Sequence, residues 1–83
     1  MTLPLDDVKQ VVVTTLGVED RADMLDAATP LMRSLPELDS MSALELIGAL
    51  EERFGITVEH EDLTGDVFET LISLAALVER KLA

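Results

Sequence analysis

The amino-acid sequence predicts an all-α fold: a small bundle of three main helices plus a short helix or turn, with a long loop between the first two helices. Apolar residues recur at helical spacing in three separate segments of the 83-residue chain. Capping residues stand at the expected ends of these segments. One β-branched run favours a strand, but no second convincing strand exists to pair with it.

The first predicted helix covers Leu5–Leu16 and ends at Gly17, because glycine readily adopts the left-handed conformation that stops a helix. Asp6 and Asp7 favour its N-terminus electrostatically. The β-branched run Val11–Thr15 lies inside this segment and is the one that favours a strand. We predict a helix because the apolar positions follow helical spacing: Leu5, Val8, Val12 and Leu16.

Residues 18 to 38 form a long connection that contains Pro30 and Pro36. A loop of about 20 residues is uncommon in a compact domain unless it is functional or anchored by its own side chains. Four leucines are available as anchors: Leu25, Leu31, Leu35 and Leu38.

The second predicted helix follows Asp39, a good N-cap, and continues to Phe54, where Gly55 ends it. A short turn or brief helix is expected over Glu59–Val67. The last helix begins near Thr70 as N-cap and reaches about residue 82, with Arg80 and Lys81 favourable at its C-terminal end. Its apolar face consists of Leu71, Leu74, Val78 and Leu82.

Composition narrows the range of functions. The chain has 17 acids, 6 bases and a net charge of −11, so nucleic acid and anionic lipid surfaces should repel it. It has no cysteine, and no secretory signal is visible, which fits a soluble cytoplasmic protein. The longest nearly apolar stretch, Leu71–Val78, is too short for a membrane span. We expect one domain covering residues 1–83, an aliphatic core, a monomer, and no membrane insertion.

The second predicted helix has two distinct faces when it is drawn at about 100° per residue. The core face gathers Ala43, Leu46, Ile47, Leu50 and Phe54. The opposite face gathers Met41, Leu44, Glu45, Gly48, Glu51 and Glu52. A glycine inside a helix costs about 1 kcal/mol relative to alanine, and its missing side chain lets another surface approach closely. We interpret the opposite face as a docking surface, although isolated exposed apolar residues are also ordinary.

Ser40 stands at the head of this face, directly after the N-cap Asp39. Backbone amides of a first helical turn lack helical partners, and the helix dipole is positive there. A phosphodiester attached at this serine would be favoured electrostatically. Taken by itself, an Asp-Ser pair before an apolar helix is usually only a cap.

The segment from Leu35 to Leu46 resembles the attachment segment of acyl carrier proteins. That family has Asp-Ser-Leu or Asp-Ser-Met, an apolar-Glu-apolar step, and later Leu-Glu-Glu-x-Phe-Gly-Ile, which matches Leu50–Ile56 here. The likeness extends over essentially the whole chain. It implies that a phosphopantetheinyl transferase attaches phosphopantetheine from coenzyme A to Ser40, and that the terminal thiol carries acyl groups as thioesters.

The resemblance also assigns roles to the neighbouring residues. Asp39 matches the acid before the serine, and Met41 matches the apolar residue after it. The acidic positions Glu45, Glu51 and Glu52 would be recognised by basic patches on transferases, synthases and acyl-loading enzymes. The chain departs from the common pattern in two places where many members carry an acid, Ser42 and Arg53.

Two other functions stay open. A peptidyl carrier domain of nonribosomal synthesis usually has Gly-Gly-x-Ser before the helix, whereas this chain has Glu-Leu-Asp-Ser ending at Ser40. An unmodified helical interaction module would bind its partners without Ser40. An enzyme is not expected, because the chain has one histidine, His60, and neither a glycine-rich phosphate loop nor a His-containing metal pattern. The acidic cluster Glu59–Asp62 is interpreted as solvated charge, since it does not fit a calcium loop.

Overall fold

The structure, a computed structural model, describes residues 4–36 and 38–82. These residues form four α-helices and three short 3₁₀ helices, and no strand occurs among them. The α-helices are α1 (Leu5–Leu16), α2 (Leu31–Ser34), α3 (Ser40–Phe54) and α4 (Leu71–Leu82). The 3₁₀ helices are Glu19–Met24, His60–Asp62 and Gly65–Phe68. The predicted all-α bundle of three main helices, α1, α3 and α4, is confirmed.

One aliphatic core lies between the three main helices, with α1 packed against both α3 and α4. Its fully buried side chains include Val8, Val12, Leu46, Leu50, Leu71, Leu74 and Val78. Val11 and Val13 are buried as well, although the predicted stripe did not include them. The 3₁₀ helix Glu19–Met24 also packs on α1, so α1 is covered on more than one side. Tertiary burial therefore outweighs the strand preference of these β-branched residues.

Glycines end α1 and α3 as predicted. Gly17 has φ +69° and Gly55 has φ +64°, both in the left-handed region. The residue after each glycine donates its backbone N–H to a carbonyl five residues back, at 2.9 Å for Val18 and 3.1 Å for Ile56. Val18 and Ile56 are also buried. This pairing of a left-handed glycine with a buried apolar residue stops each helix and turns the chain back onto the core.

The long connection between α1 and α3 is present, but it is more ordered than the word loop implies. It contains the 3₁₀ helix Glu19–Met24 and the single-turn helix α2. All four leucines predicted as anchors are buried, none more than 4% exposed. Two backbone hydrogen bonds join the connection to the start of α4, from Leu31 N–H to Glu69 O and from Ile72 N–H to Ala27 O. Apolar anchoring and backbone pairing thus replace regular secondary structure here.

The last helix begins where the sequence predicts. Thr70 Oγ1 accepts the backbone N–H of Ser73 at 3.2 Å, and Ser73 Oγ accepts the N–H of Thr70 at 3.0 Å. This reciprocal capping satisfies two amides at the start of α4. The assignment of Leu82 to the apolar core face is wrong, because its side chain is 53% exposed. Val78 is the last fully buried residue of α4, and the final turn extends beyond the core.

Candidate functional site

Ser40 is the first residue of α3, and its side chain is exposed. The chain just before it is fixed by Leu38, which is 4% exposed within the core. The chain just after it is fixed by Asp39, whose Oδ1 accepts the backbone N–H of Ser42 at 2.8 Å. The predicted N-cap is therefore confirmed. A serine hydroxyl is presented to solvent at a capped junction between connection and helix.

The Asp39 carboxylate is stabilised in its charged form. The backbone N–H of Ser42 donates to it, and this hydrogen bond lowers the pKa of Asp39 from its usual 3.8. The group is ionised at neutral pH. Because its oxygen is engaged by the helix N-terminus, Asp39 acts on the backbone and helps to set the position of Ser40.

An open groove of about 420 Å³ lies beside Ser40. Its lining residues come from the start of α3 and from the connection before α4: Asp39, Ser40, Ala43, Leu44, Leu63, Thr64 and Phe68. Most of this lining is apolar, and the volume falls within the range of about 300–1,000 Å³ that is usual for ligand pockets. The sequence contains Leu63 and Phe68 inside an acidic stretch, but helical periodicity does not show that they face Ser40.

The predicted docking face is largely exposed. Met41 is 72% exposed and Leu44 is 65% exposed. Glu45, Gly48 and Glu52 are exposed on the same helix. A Cβ added at Gly48 would meet nothing within 4 Å, so the packing of this chain does not require glycine there.

Glu51 differs from the other acids of this face. It is half-buried, and its Oε2 accepts the backbone N–H of Val58 at 2.8 Å. The carboxylate therefore joins α3 to the connection that follows it. The sequence predicts Glu51 on the exposed face of the helix and does not indicate this contact, because Val58 lies seven residues away outside the helix.

The two departures from the family pattern have local roles. Ser42 supplies the amide that Asp39 caps. Arg53 is directed towards α1, where its Nη2 lies 3.3 Å from Asp7 Oδ1. The Arg53 guanidinium also lies 5.4 Å from the centre of the Phe54 ring. The positive charge of Arg53 is thus partly offset by an acid of another helix.

The acidic cluster Glu59–Asp62 forms a 3₁₀ turn with its own capping contacts. Asp62 Oδ2 accepts the backbone N–H of Glu59 at 2.9 Å, and the same carboxylate pairs with Arg80 and Lys81 of α4. Within residues 4–36 and 38–82, no three His, Cys, Asp or Glu side chains are grouped so that they could hold a metal ion. No helix in these two ranges is long and apolar enough to cross a bilayer.

Comparison with known proteins decides the family. A family model described as "Phosphopantetheine attachment site" matches residues 6–80. The acyl carrier protein of Petrotoga mobilis is 31% identical over 77 residues, which covers 93% of this chain and 85% of that protein. The chain belongs to the acyl carrier protein family. The resemblance found in the sequence is thereby confirmed.

A solved structure agrees with this assignment. The carrier superimposes on the solution NMR structure of the holo acyl carrier protein from Nitrosomonas europaea with a TM-score of 0.89 and 38% sequence identity. The match covers 98% of each chain. Like its family, the carrier bears covalent phosphopantetheine, holds acyl groups, and works with synthase and transferase enzymes and a phosphopantetheinyl transferase. Its family transports intermediates and does not itself catalyse their conversion.

The residues around Ser40 suit this group. The N-terminus of a 15-residue helix favours a phosphodiester, because unpaired amides and the helix dipole are positive there. The apolar groove beside the serine provides a surface for the less polar parts of an arm or of its cargo. When bound, the arm supplies a thiol that forms thioesters.

Proposed function

We propose that Ser40 is the residue that bears phosphopantetheine, so that the carrier presents acyl thioesters from the head of α3. The single observation that carries this proposal is an exposed serine at a capped helix N-terminus, opening directly onto the apolar groove. A hydroxyl at this point is accessible to a modifying enzyme. An attached phosphodiester would lie at the positive end of the helix.

Mass spectrometry tests the attachment. The unmodified chain is incubated with coenzyme A, magnesium and a broad-specificity phosphopantetheinyl transferase. We expect the mass of one phosphopantetheine to be gained by the wild type and by Ser42→Ala, a nearby serine in the same helical turn. Ser40→Ala should gain nothing. An equal gain by Ser40→Ala, or no gain by the wild type with several transferases, would refute the assignment.

We further propose that the exposed face of α3 is the docking surface for the enzymes that modify, load and unload the carrier. It combines two exposed apolar side chains, Met41 and Leu44, with the exposed carboxylates of Glu45 and Glu52. A partner with a basic patch would pair with these carboxylates, while its own apolar surface covers the methionine and leucine. Gly48 would allow close approach between the two surfaces.

Charge reversal tests the docking surface. Glu45→Lys and Glu52→Lys should each reduce kcat/KM for the transferase by about tenfold or less, since each removes a rim-type charge contact. Asp20→Lys, an exposed acid in the first connection, is the matched control and should have little effect. Far-UV circular dichroism should stay unchanged in all three variants. An equal loss for Asp20→Lys would mean that only overall charge matters.

The proposal also covers the organisation of the protein. Residues 1–83 form one acyl-carrier domain in this proposal, which is supported by the one cluster of buried apolar side chains found among residues 4–36 and 38–82. We propose a cytoplasmic monomer that is not an enzyme, that binds neither nucleic acid nor the interior of a membrane, and whose net charge of −11 favours basic protein partners. A peptidyl carrier would instead be loaded with amino acids. An unmodified interaction module would keep all its partners after Ser40→Ala.

A further inference from the structure

The groove beside Ser40 has two walls of different construction. One wall is α3, a helix of 15 residues. The other wall contains Leu63, Thr64 and Phe68, which belong to the connection between Gly55 and Thr70. That connection contains two 3₁₀ helices of three and four residues. Such short 3₁₀ turns contain few hydrogen bonds of their own, so the position of this second wall depends on contacts with the rest of the fold.

Asp62 provides one set of these contacts and directly precedes Leu63. Its side chain is 15% exposed and lies between the connection and the last turn of α4. One oxygen, Oδ2, accepts the Glu59 N–H at 2.9 Å and pairs with Lys81 Nζ. The other, Oδ1, lies 3.4 Å from Arg80 Nη2. One carboxylate therefore holds the 3₁₀ turn in shape and fixes it to α4.

The contact between Asp62 and α4 lies between two grooves of the surface. Thr64 lines the groove beside Ser40 and also a second open groove, of about 370 Å³, on the side of Arg80. Asp62 itself lines the second groove. A shift of the turn away from α4 would consequently change the shape of both grooves, because Leu63 and Thr64 follow Asp62 along the backbone.

We propose that Asp62 is a positioning residue: its pairing with Lys81 and Arg80 fixes Leu63 and Thr64 as the outer wall of the Ser40 groove, and so sets how well an aliphatic acyl chain is sheltered there. This inference rests on the proposed function, in which the arm on Ser40 delivers the acyl chain to this groove. The partners lie at the C-terminal end of α4, where basic side chains are favourable.

Amide hydrogen exchange on the unmodified chain tests whether Asp62 and its partners hold Leu63 and Thr64 in place. Asp62→Asn and Lys81→Gln should each accelerate exchange at Leu63, Thr64 and Val67 by about threefold or more, because local opening becomes easier when a tertiary contact is lost. Exchange in the centre of α1 should stay unchanged. Arg53→Gln removes a different exposed ion pair, to Asp7, and should leave the wall amides at the wild-type rate. Unchanged wall amides in both variants, or equal acceleration in α1, would overturn the proposal.

The rate of thioester cleavage tests whether the groove shelters the acyl chain. Octanoyl and acetyl forms of the loaded carrier are treated with hydroxylamine, and loss of the acyl group is followed by mass. Lys81→Gln should release octanoate about twofold to threefold faster than wild type, with no difference for the acetyl form, which is too short to fill an apolar groove. Equal octanoyl rates would overturn the sheltering role. A failure to load would count against Ser40 as the attachment residue, and the exchange experiment would still decide on the wall.

Discussion

The two connections of the bundle are held in place by different kinds of contact. The first, between α1 and α3, is anchored by buried apolar side chains, among them Val18 and Leu31, which are not exposed at all. The second, between α3 and α4, has fewer fully buried residues, and polar side chains supplement their packing. Its polar contacts join Glu51 to Val58, Asp62 to Lys81, and Ser73 to Val67.

Because of this difference, the first connection is mainly a source of stability, whereas the contacts of the second are easier to change. Apolar anchoring does not titrate and has no polar partner that a docking protein could replace. Carboxylate contacts at a half-exposed site respond to pH, to salt and to competing cations. The second connection also forms a wall of the groove beside Ser40. The connection that forms this wall is thus the one with the more easily altered contacts.

Removing an apolar anchor from the first connection should have the largest effect. Leu31→Ala empties a fully buried site and should lower the free energy of unfolding by about 2–5 kcal/mol. Met24→Ala, in the same connection but 73% exposed, is the matched control and should change it by less than about 0.5 kcal/mol. Urea denaturation measures both. Similar losses for the two variants would show that burial does not anchor this connection.

Removing a hydroxyl of α4 that anchors the second connection should have a smaller effect. Ser73 Oγ accepts the Thr70 N–H and lies within donating distance of Val67 O (2.8 Å) and Thr70 O (2.7 Å). Ser73→Ala should cost about 1–2 kcal/mol, since it removes the cap contact and a partly buried hydrogen bond. Ser34→Ala, at an exposed serine, should be nearly neutral in the same thermal or urea unfolding experiment. A neutral Ser73→Ala would contradict polar anchoring at this point.

Two adjacent glutamates of α3 should behave differently. Glu51→Ala removes the acceptor of the Val58 N–H and should lower the free energy of unfolding by about 1 kcal/mol. Glu52→Ala removes an exposed carboxylate and should change it by less than about 0.5 kcal/mol. Chemical denaturation at neutral pH distinguishes them. Equal values would mean that the Glu51 contact does not stabilise the connection.

Acid should weaken the second connection through Asp62. Its pKa is lowered from the usual 3.8, first by the hydrogen bond from Lys81 and then by the Glu59 N–H. A pKa depressed by folding contributes stability that is present above 3.8 and is lost as the pH falls through the lower folded value. Asp62→Asn should therefore be less stable at pH 7 and should lose less stability below about pH 4. Parallel pH profiles for variant and wild type would rule out this contribution.

The helix boundaries were accessible from sequence because their causes are local. Asp39, Gly17 and Gly55 act within one turn of the backbone they cap, and the structure places all three as predicted. The apolar anchors of the first connection were also predictable, because a leucine in a polar segment has few alternatives to burial. The exposed side of Met41 and Leu44 followed from helical periodicity alone.

The remaining features depend on residues that are distant along the chain. Periodicity assigned Leu82 to the core, but the core does not extend to the last turn of α4, so the side chain is exposed. It also left out Val11 and Val13, which are buried because the first connection covers a further side of α1. The pairing of Asp62 with Lys81 spans nineteen positions and has no sequence pattern.

The sequence by itself determined the three main helices, the caps at Asp39, Gly17 and Gly55, the family likeness and the serine at the head of α3, because each depends on neighbouring residues or on a linear motif. Only the tertiary structure decided that Ser40 opens onto an apolar groove and that Leu63 and Phe68 form part of its wall. It also decided that Glu51 bonds to the backbone of Val58. The physical reason is that these contacts form when a connection without a regular apolar pattern packs against the helices. No local sequence preference specifies where such a connection lies.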